Sequence, residues 1–292
     1  MINIKKSLLW LTPFLTLAGC TGILAPAGSV AEAEGTIMLD SLMIMLAIVI
    51  PTIIATLGFA WWFRASNKNA RYLPEWSYSG QLELLVWSIP ALVVLFLGGI
   101  AWLGSHNLDP ARPLQSAIKP LEVQVVSLDW KWLFIYPNQQ IASINRLVVP
   151  VGVPLHFRIT SASVLNVFFV PRIGSQIYAM NGMATQLNLQ ADKEGIYPGL
   201  SGHFSGDGFS GMAFAMEVLA PAAFTQWVGQ AKASGSVLDE AAYYELLKQS
   251  QDVKPYTYRF VRAGLFDDIL TLKLPPAIII RKGRRTCCCS VN

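Results

Sequence analysis

Imidazoles and thiols, the side chains that ligate soft and borderline metals, are few in this 292-residue chain. The imidazoles are His106, His156 and His203, and the thiols are Cys20 and the consecutive Cys287, Cys288 and Cys289. These are the groups that hold copper and zinc in proteins, so a metal centre here would be built from very little. No thiol lies between Cys20 and Cys287, which excludes a disulfide scaffold and a CxxC zinc site. Adjacent cysteines bridge one another poorly, though Cys287–Cys289 could bind Cu(I). One carboxylate is notable for its position. Glu83 sits at the start of the run Leu82-Glu83-Leu84-Leu85-Val86-Trp87-Ser88-Ile89-Pro90. An ionisable group there is either a helix-start residue favoured by the N-terminal dipole or a candidate for proton transfer.

The elements that would position these residues follow from composition. The chain is 53% hydrophobic and only 14% charged, against roughly a quarter charged for a soluble domain. Its net charge of +4 is spread without a long basic run in the body of the chain. Nucleic-acid binding and disorder are therefore poor fits, and part of the chain belongs in lipid. Residues 1–19 read as an export signal, with Lys5 and Lys6 ahead of an apolar stretch too short to span a bilayer. It ends in Leu17-Ala18-Gly19-Cys20, which is similar to the bacterial lipoprotein box and implies a lipid on Cys20. After an external segment, 20–38, the apolar runs 39–63 and 83–105 are each long enough to cross a bilayer. Trp61, Trp62 and Trp102 lie near their ends, while Pro51 and Pro90 fall inside them. The connection, 64–82, carries Arg64, Lys68 and Arg71 against Glu75, which places it in the cytoplasm. Residues from His106 onward then lie outside.

The external part, 106–220, is patterned for β-structure. Leu155, Phe157 and Ile159 alternate with His156 and Arg158, and Met212, Phe214, Met216 and Val218 repeat the period. Short runs separated by Pro/Gly/Asn turns predict an antiparallel sandwich or small barrel. Residues 221–280 read as a helical, aromatic-rich segment. Phe224, Trp227, Val228 and Ala231 share a helical face, and Ser236 with Asp239 predicts a capped helix over Leu238–Lys248. Tyr256, Tyr258, Phe260 and Phe266 are expected to be packing aromatics, and 281–292 a tail.

Particular strings carry a family resemblance. Ser127-Leu128-Asp129-Trp130-Lys131-Trp132, Val170-Pro171-Arg172-Ile173-Gly174 and the loop Ser201 to Met212, SGHFSGDGFSGM, resemble subunit II of the haem–copper respiratory oxidases. Phe59-Ala60-Trp61, Ala65-Ser66-Asn67-Lys68 and Gly174-Ser175-Gln176-Ile177-Tyr178-Ala179-Met180 are most similar to its bo-type ubiquinol oxidase members. The resemblance covers essentially the whole chain. It implies a membrane-anchored all-β domain: a transmembrane hairpin followed by an external cupredoxin-like β-sandwich.

In the cytochrome c oxidases of that family, the matching loop holds a two-copper centre. Its ligands are two bridging cysteines, two histidines, a methionine sulfur and a glutamate carbonyl. Matched by position, the first histidine is Asn166, the cysteines are Ser201 and Ser205, and the second histidine is Phe209. Met212 alone keeps its identity, and His203 stands at the carbonyl position. The resemblance thus implies a subunit without a cofactor of its own in a proton-pumping quinol oxidase of the bacterial cytoplasmic membrane. Subunit I would hold the haems and copper, and this chain would pack against it and the other small membrane subunits. Quinol would reach the complex through lipid, and cytochrome c would be no partner. Glu83 matches the glutamate at the mouth of the proton path named for its lysine. His203 reads as a loop residue, Met212 as core, His156 as an edge residue and His106 as interfacial. Two other readings remain: the copper-bearing subunit II of a cytochrome c oxidase, and a lipid-anchored copper chaperone using Cys287–Cys289.

Overall fold

A computed structural model describes residues 24–71 and 73–274. The chain divides into two units, one comprising the residues up to Glu32 together with those from Pro110 on, the other Ala33–Asp109.

The second unit is a pair of helices. Helix α1 runs Ser29–Trp62, its first turn belonging to the other unit, and α2 runs Gly80–Asn107. At 1.5 Å per residue they are about 51 and 42 Å long, more than the roughly 30 Å of a hydrocarbon core. Both exceed the apolar runs, because hydropathy marks the part that fits lipid and not where the backbone stops being helical. Pro51 removes a backbone donor inside α1, and one residue beyond the freed carbonyl the Thr52 hydroxyl donates to Ile48 O at 2.7 Å. No residue of α2 is buried within the chain, and in α1 only Val30 and Ala31 are. The apolar surface between must meet lipid or another chain.

The first unit is a sandwich. Its strands are β1 (Leu121–Leu128), β2 (Lys131–Tyr136), β3 (Ile141–Ile144), β4 (Arg146–Pro150), β5 (Pro154–Ser161) and β6 (Asn166–Phe169). After them come β7 (Ile177–Ala179), β8 (Thr185–Gln190), β9 (Gly195–Ser201) and β10 (Ala213–Leu219). The chain continues through α3 (Pro221–Ala233), β11 (Ser236–Leu238), α4 (Glu240–Leu246), β12 (Tyr256–Val261) and α5 (Leu265–Leu270). A seven-stranded sheet, β11-β12-β3-β2-β1-β5-β8, faces a five-stranded one, β4-β10-β9-β6-β7. The expected alternation holds, since Leu155, Phe157 and Ile159 are buried while His156 and Arg158 are half-buried.

Two expectations need correction. The sandwich is not purely antiparallel: β1 with β5, β4 with β10 and β11 with β12 run parallel. Period-2 alternation is the same for both directions, so it cannot report strand direction. Nor does Ser236 start a helix, because Ser236, Val237 and Leu238 form strand β11 beside β12. Asp239 is the N-cap instead, its carboxylate accepting from Ala242 N at 2.8 Å, and α4 ends at Leu246. The aromatic-rich segment is therefore partly sheet.

Strand β2 is buried along its whole length because both faces are covered. Trp132, Phe134 and Tyr136 point into the core between the sheets. Leu133 and Ile135 point into a second core, closed by Tyr243, Leu246, Tyr258 and Phe266 of the C-terminal segment. Lys131 is the cation at the start of this strand. Its Nζ donates to Lys248 O at 2.8 Å and Ser250 Oγ at 2.5 Å, holding that segment down. Burial lowers its pKa from 10.5 to about 8, with Asp129 opposing the shift.

An unfolded lysine keeps its proton to about pH 10.4, so between pH 8 and that value the unfolded chain binds more protons and folding gains stability as pH rises. The tyrosines work in the other direction. Burial raises the pKa of Tyr136, Tyr243 and Tyr258, so above about pH 10 stability falls again. The unfolding free energy of the purified protein, read from denaturant titrations, should climb from pH 8 toward pH 10 by roughly 1–2 kcal/mol and then drop. Lys131→Met should flatten the climb; a climb of unchanged size in that variant would assign it to another group.

Candidate functional site

The loop Ser201–Met212 leaves β9 and returns into β10, at the edge of the aromatic core where Ser201 pairs with Phe168. The backbone closes it at its neck, Ser201 N donating to Met212 O at 3.4 Å. Across β6, buried Asn166 faces buried Ser201, whose Oγ lies 3.1 Å from Asn166 Oδ1 and 3.3 Å from His203 O. The same hydroxyl accepts from Val167 N at 3.4 Å. Ser205 Oγ reaches Met212 Sδ at 4.0 Å, and Met212 is buried. Phe209 opens a single 3-10 turn, Phe209–Gly211, and packs edge-on to Phe204 with ring centroids 5.5 Å apart.

The centre of the loop is filled by an indole. Trp130 occupies the two-residue turn between β1 and β2 at φ 60, and its Nε1 donates to Ser205 O at 3.2 Å. Its ring lies against Gly208, where any side chain would overlap it. The loop is thus held by hydrogen bonds and ring packing between protein atoms.

That arrangement limits the chemistry. A bridging thiolate is soft and ionises near neutral pH, whereas a serine hydroxyl does neither. Phe209 has no donor atom. The thioether of Met212 and the exposed ring of His203 remain, and they come from different parts of the loop. Among the described residues, no three His, Cys, Asp or Glu side chains come together in a metal-binding cluster.

The other sequence candidates lie apart. His156, on β5, is half-buried with Nδ1 2.8 Å from Asn188 Oδ1. His106 lies in the last turn of α2, its ring 4.4 Å from that of Trp102. Glu83 is exposed in the first turn of α2, with its backbone N–H bonded to Ser79 O at 3.0 Å. Cys20 and Cys287–Cys289 fall outside the described residues.

Two residues that organise the region escaped the sequence reading. Asn145 stands between β3 and β4, at the crossing from one sheet to the other, with φ 52. Its Oδ1 accepts from Trp132 N at 2.8 Å and its Nδ2 donates to Val253 O at 2.9 Å. Its backbone N donates to Trp132 O at 2.9 Å and its O accepts from Ala215 N at 3.1 Å. An asparagine interrupting two apolar runs was the available signal, since Asn tolerates positive φ. Arg172 is the other. Its Nε donates to Ala25 O at 2.8 Å, its guanidinium covers the Tyr197 ring at 5.1 Å, and its carbonyl accepts from Ala27 N at 2.8 Å. These bonds fasten the segment ahead of α1 to the sandwich.

Comparison with known proteins bears on this geometry. Residues 133–219 match the family model for cytochrome c oxidase subunit II, periplasmic domain, and residues 232–272 match the COX aromatic-rich motif. The cytochrome bo(3) ubiquinol oxidase subunit 2 of Pseudomonas aeruginosa is 46% identical over 272 residues, covering 92% of this chain and 82% of that protein. The ubiquinol oxidase subunit 2 of Acetobacter aceti is 46% identical, covering 89% and 85%. The quinol oxidase subunit 2 of Bacillus cereus is 35% identical, covering 83% and 84%. Aligned at that identity along most of its length, the chain belongs to the subunit II family of the haem–copper oxidases.

Proposed function

We propose that this chain is the metal-free subunit II of a proton-pumping quinol oxidase, which passes electrons from membrane quinol to oxygen. One observation carries the reading: Asn166, Ser201, Ser205 and Phe209 stand where a two-copper centre needs two imidazoles and two thiolates. The relatives named as quinol oxidases support it. Quinol travels in lipid, so an external domain need not receive electrons from a water-soluble donor. The sandwich then serves assembly, packing with subunit I, which would supply the haem and copper chemistry, and with the other small membrane subunits. The hairpin fits a two-pass protein of the cytoplasmic membrane, and a lipid on Cys20 would add a second anchor.

The test is substrate choice by the purified complex. It should oxidise ubiquinol, and reduced cytochrome c at no more than the buffer rate. Its copper should not exceed that of subunit I. Rapid cytochrome c oxidation, or excess copper lost on removing this subunit, would restore the electron-port reading.

Within the same proposal, Glu83 stands at the mouth of a proton path into subunit I. A carboxylate on the cytoplasmic side can take a proton from water and pass it on, whereas an amide cannot. Glu83→Gln should slow quinol turnover several-fold while leaving the amount of assembled complex unchanged. Wild-type turnover in that variant would leave Glu83 as a helix-start residue only.

A further inference from the structure

The unit formed by Ala33–Asp109 contains a cavity of about 800 Å³ at the loop end of its two helices. That is the size of a ligand site, well beyond a packing defect. Phe59 and Trp62 of α1, Leu82 and Val86 of α2, and Trp76 of the connection form apolar walls, and Arg71 is the charged group among the lining residues. The loop's other arginine is already engaged. Arg64 donates to Ser66 Oγ at 2.9 Å and Trp61 O at 3.3 Å and lies over the Trp61 ring. Arg71, among the described residues, has no carboxylate within ion-pair distance.

We propose that this cavity binds an anionic phospholipid of the cytoplasmic leaflet, with its acyl chain between α1 and α2 and its phosphate on Arg71. Charge and depth both favour this occupant. The loop carries Arg64, Lys68 and Arg71 against Glu75, and the cytoplasmic leaflet is the anionic one. Trp62 ends α1 and Trp76 lies in the connection just ahead of α2, the ends of apolar spans being where indoles favour the headgroup region. Guanidinium holds phosphate through paired N–H donors. Quinol chemistry fits poorly, because a quinol must give up protons, while the polar side-chain groups lining the cavity are an arginine and indole N–H groups, all donors. The nearby carbonyls of Trp61 and Trp62 are taken by Arg64 and by Asn67 Nδ2.

The test uses the whole purified complex in phosphatidylcholine nanodiscs carrying a trace of photoactivatable phosphatidylglycerol. Cross-linked peptides are mapped by mass spectrometry. Labelling should fall on α1 and α2 around Phe59–Trp62 and Leu82–Val86, and should drop about fivefold in Arg71→Gln, as expected for one basic residue at an anionic surface. Lys68→Gln, which loses the same charge outside the cavity, should label as wild type. Retained quinol turnover in each variant shows that the complex has assembled. Equal labelling by photoactivatable phosphatidylcholine, or an unchanged yield in Arg71→Gln, would overturn the proposal. So would a photoprobe at position 82 that cross-links to another protein chain instead of lipid.

Discussion

Phe214→Ala is expected to destabilise the sandwich by about 3–5 kcal/mol, because it empties the centre of the core where both sheets meet. The ring stacks on Phe168 at 5.2 Å with an interplanar angle of 11°, and has Phe134 at 5.1 Å and Trp132 at 5.7 Å. It also lies over Gly199, its cross-strand partner on β9, in the space a side chain there would fill. Truncation therefore removes aromatic contacts from two sheets and leaves a void beside a residue that cannot fill it. The thermal midpoint of the subunit should fall by on the order of 10 °C, and less assembled oxidase should be found in membranes. Phe214→Leu, which keeps more of the volume, should cost much less. If the alanine variant melts with the wild type, the two sheets do not depend on this cluster.

Asn145→Ala should cost about 2–4 kcal/mol, by a different mechanism. The side chain satisfies Trp132 N in the core and Val253 O in the C-terminal segment, so its loss strands a buried donor and an acceptor. Alanine also pays for φ 52, which asparagine adopts readily. Glycine separates the two costs. Asn145→Gly should recover the backbone part and leave the hydrogen-bond part. Since one residue joins both sheets to the aromatic-rich segment, limited proteolysis of Asn145→Ala should cut first near Val253. Cleavage equal to wild type would show that Lys131, the Gln249–Asp129 hydrogen bond, the β3–β12 pairing and apolar packing hold the segment without Asn145.

Much of this architecture could be read from residue order. The spans stand out because uninterrupted apolar runs fit only lipid or a deep core. The inward faces of β5 and β10 are visible because alternation maps directly onto a two-sided strand. The residue types of the Ser201–Met212 loop are read directly from the sequence, since serine is not cysteine in any conformation, but the packing of Trp130 into that loop is not. Features that depend on chain path were hidden. The parallel pairing of β1 with β5 leaves no mark on either strand's sequence. Val237 and Leu238 could serve an edge strand or a helix start, and the presence of β12 beside them decides. The cavity at Arg71 needs residues 59, 71 and 82 brought together by a turn, which no local pattern reports.

The indole of Trp130 against Gly208 has a consequence for how this subunit is made. A loop that needs two thiols must reach the external compartment reduced, stay reduced among oxidants, and wait for a delivered metal before it is finished. Here the equivalent loop is completed by an indole, two hydroxyls and an amide that the ribosome supplies, none of which can form a disulfide. Under the metal-free reading proposed above, biogenesis of this domain would run ahead of thiol-reducing and metal-delivery factors, and its yield should be indifferent to both.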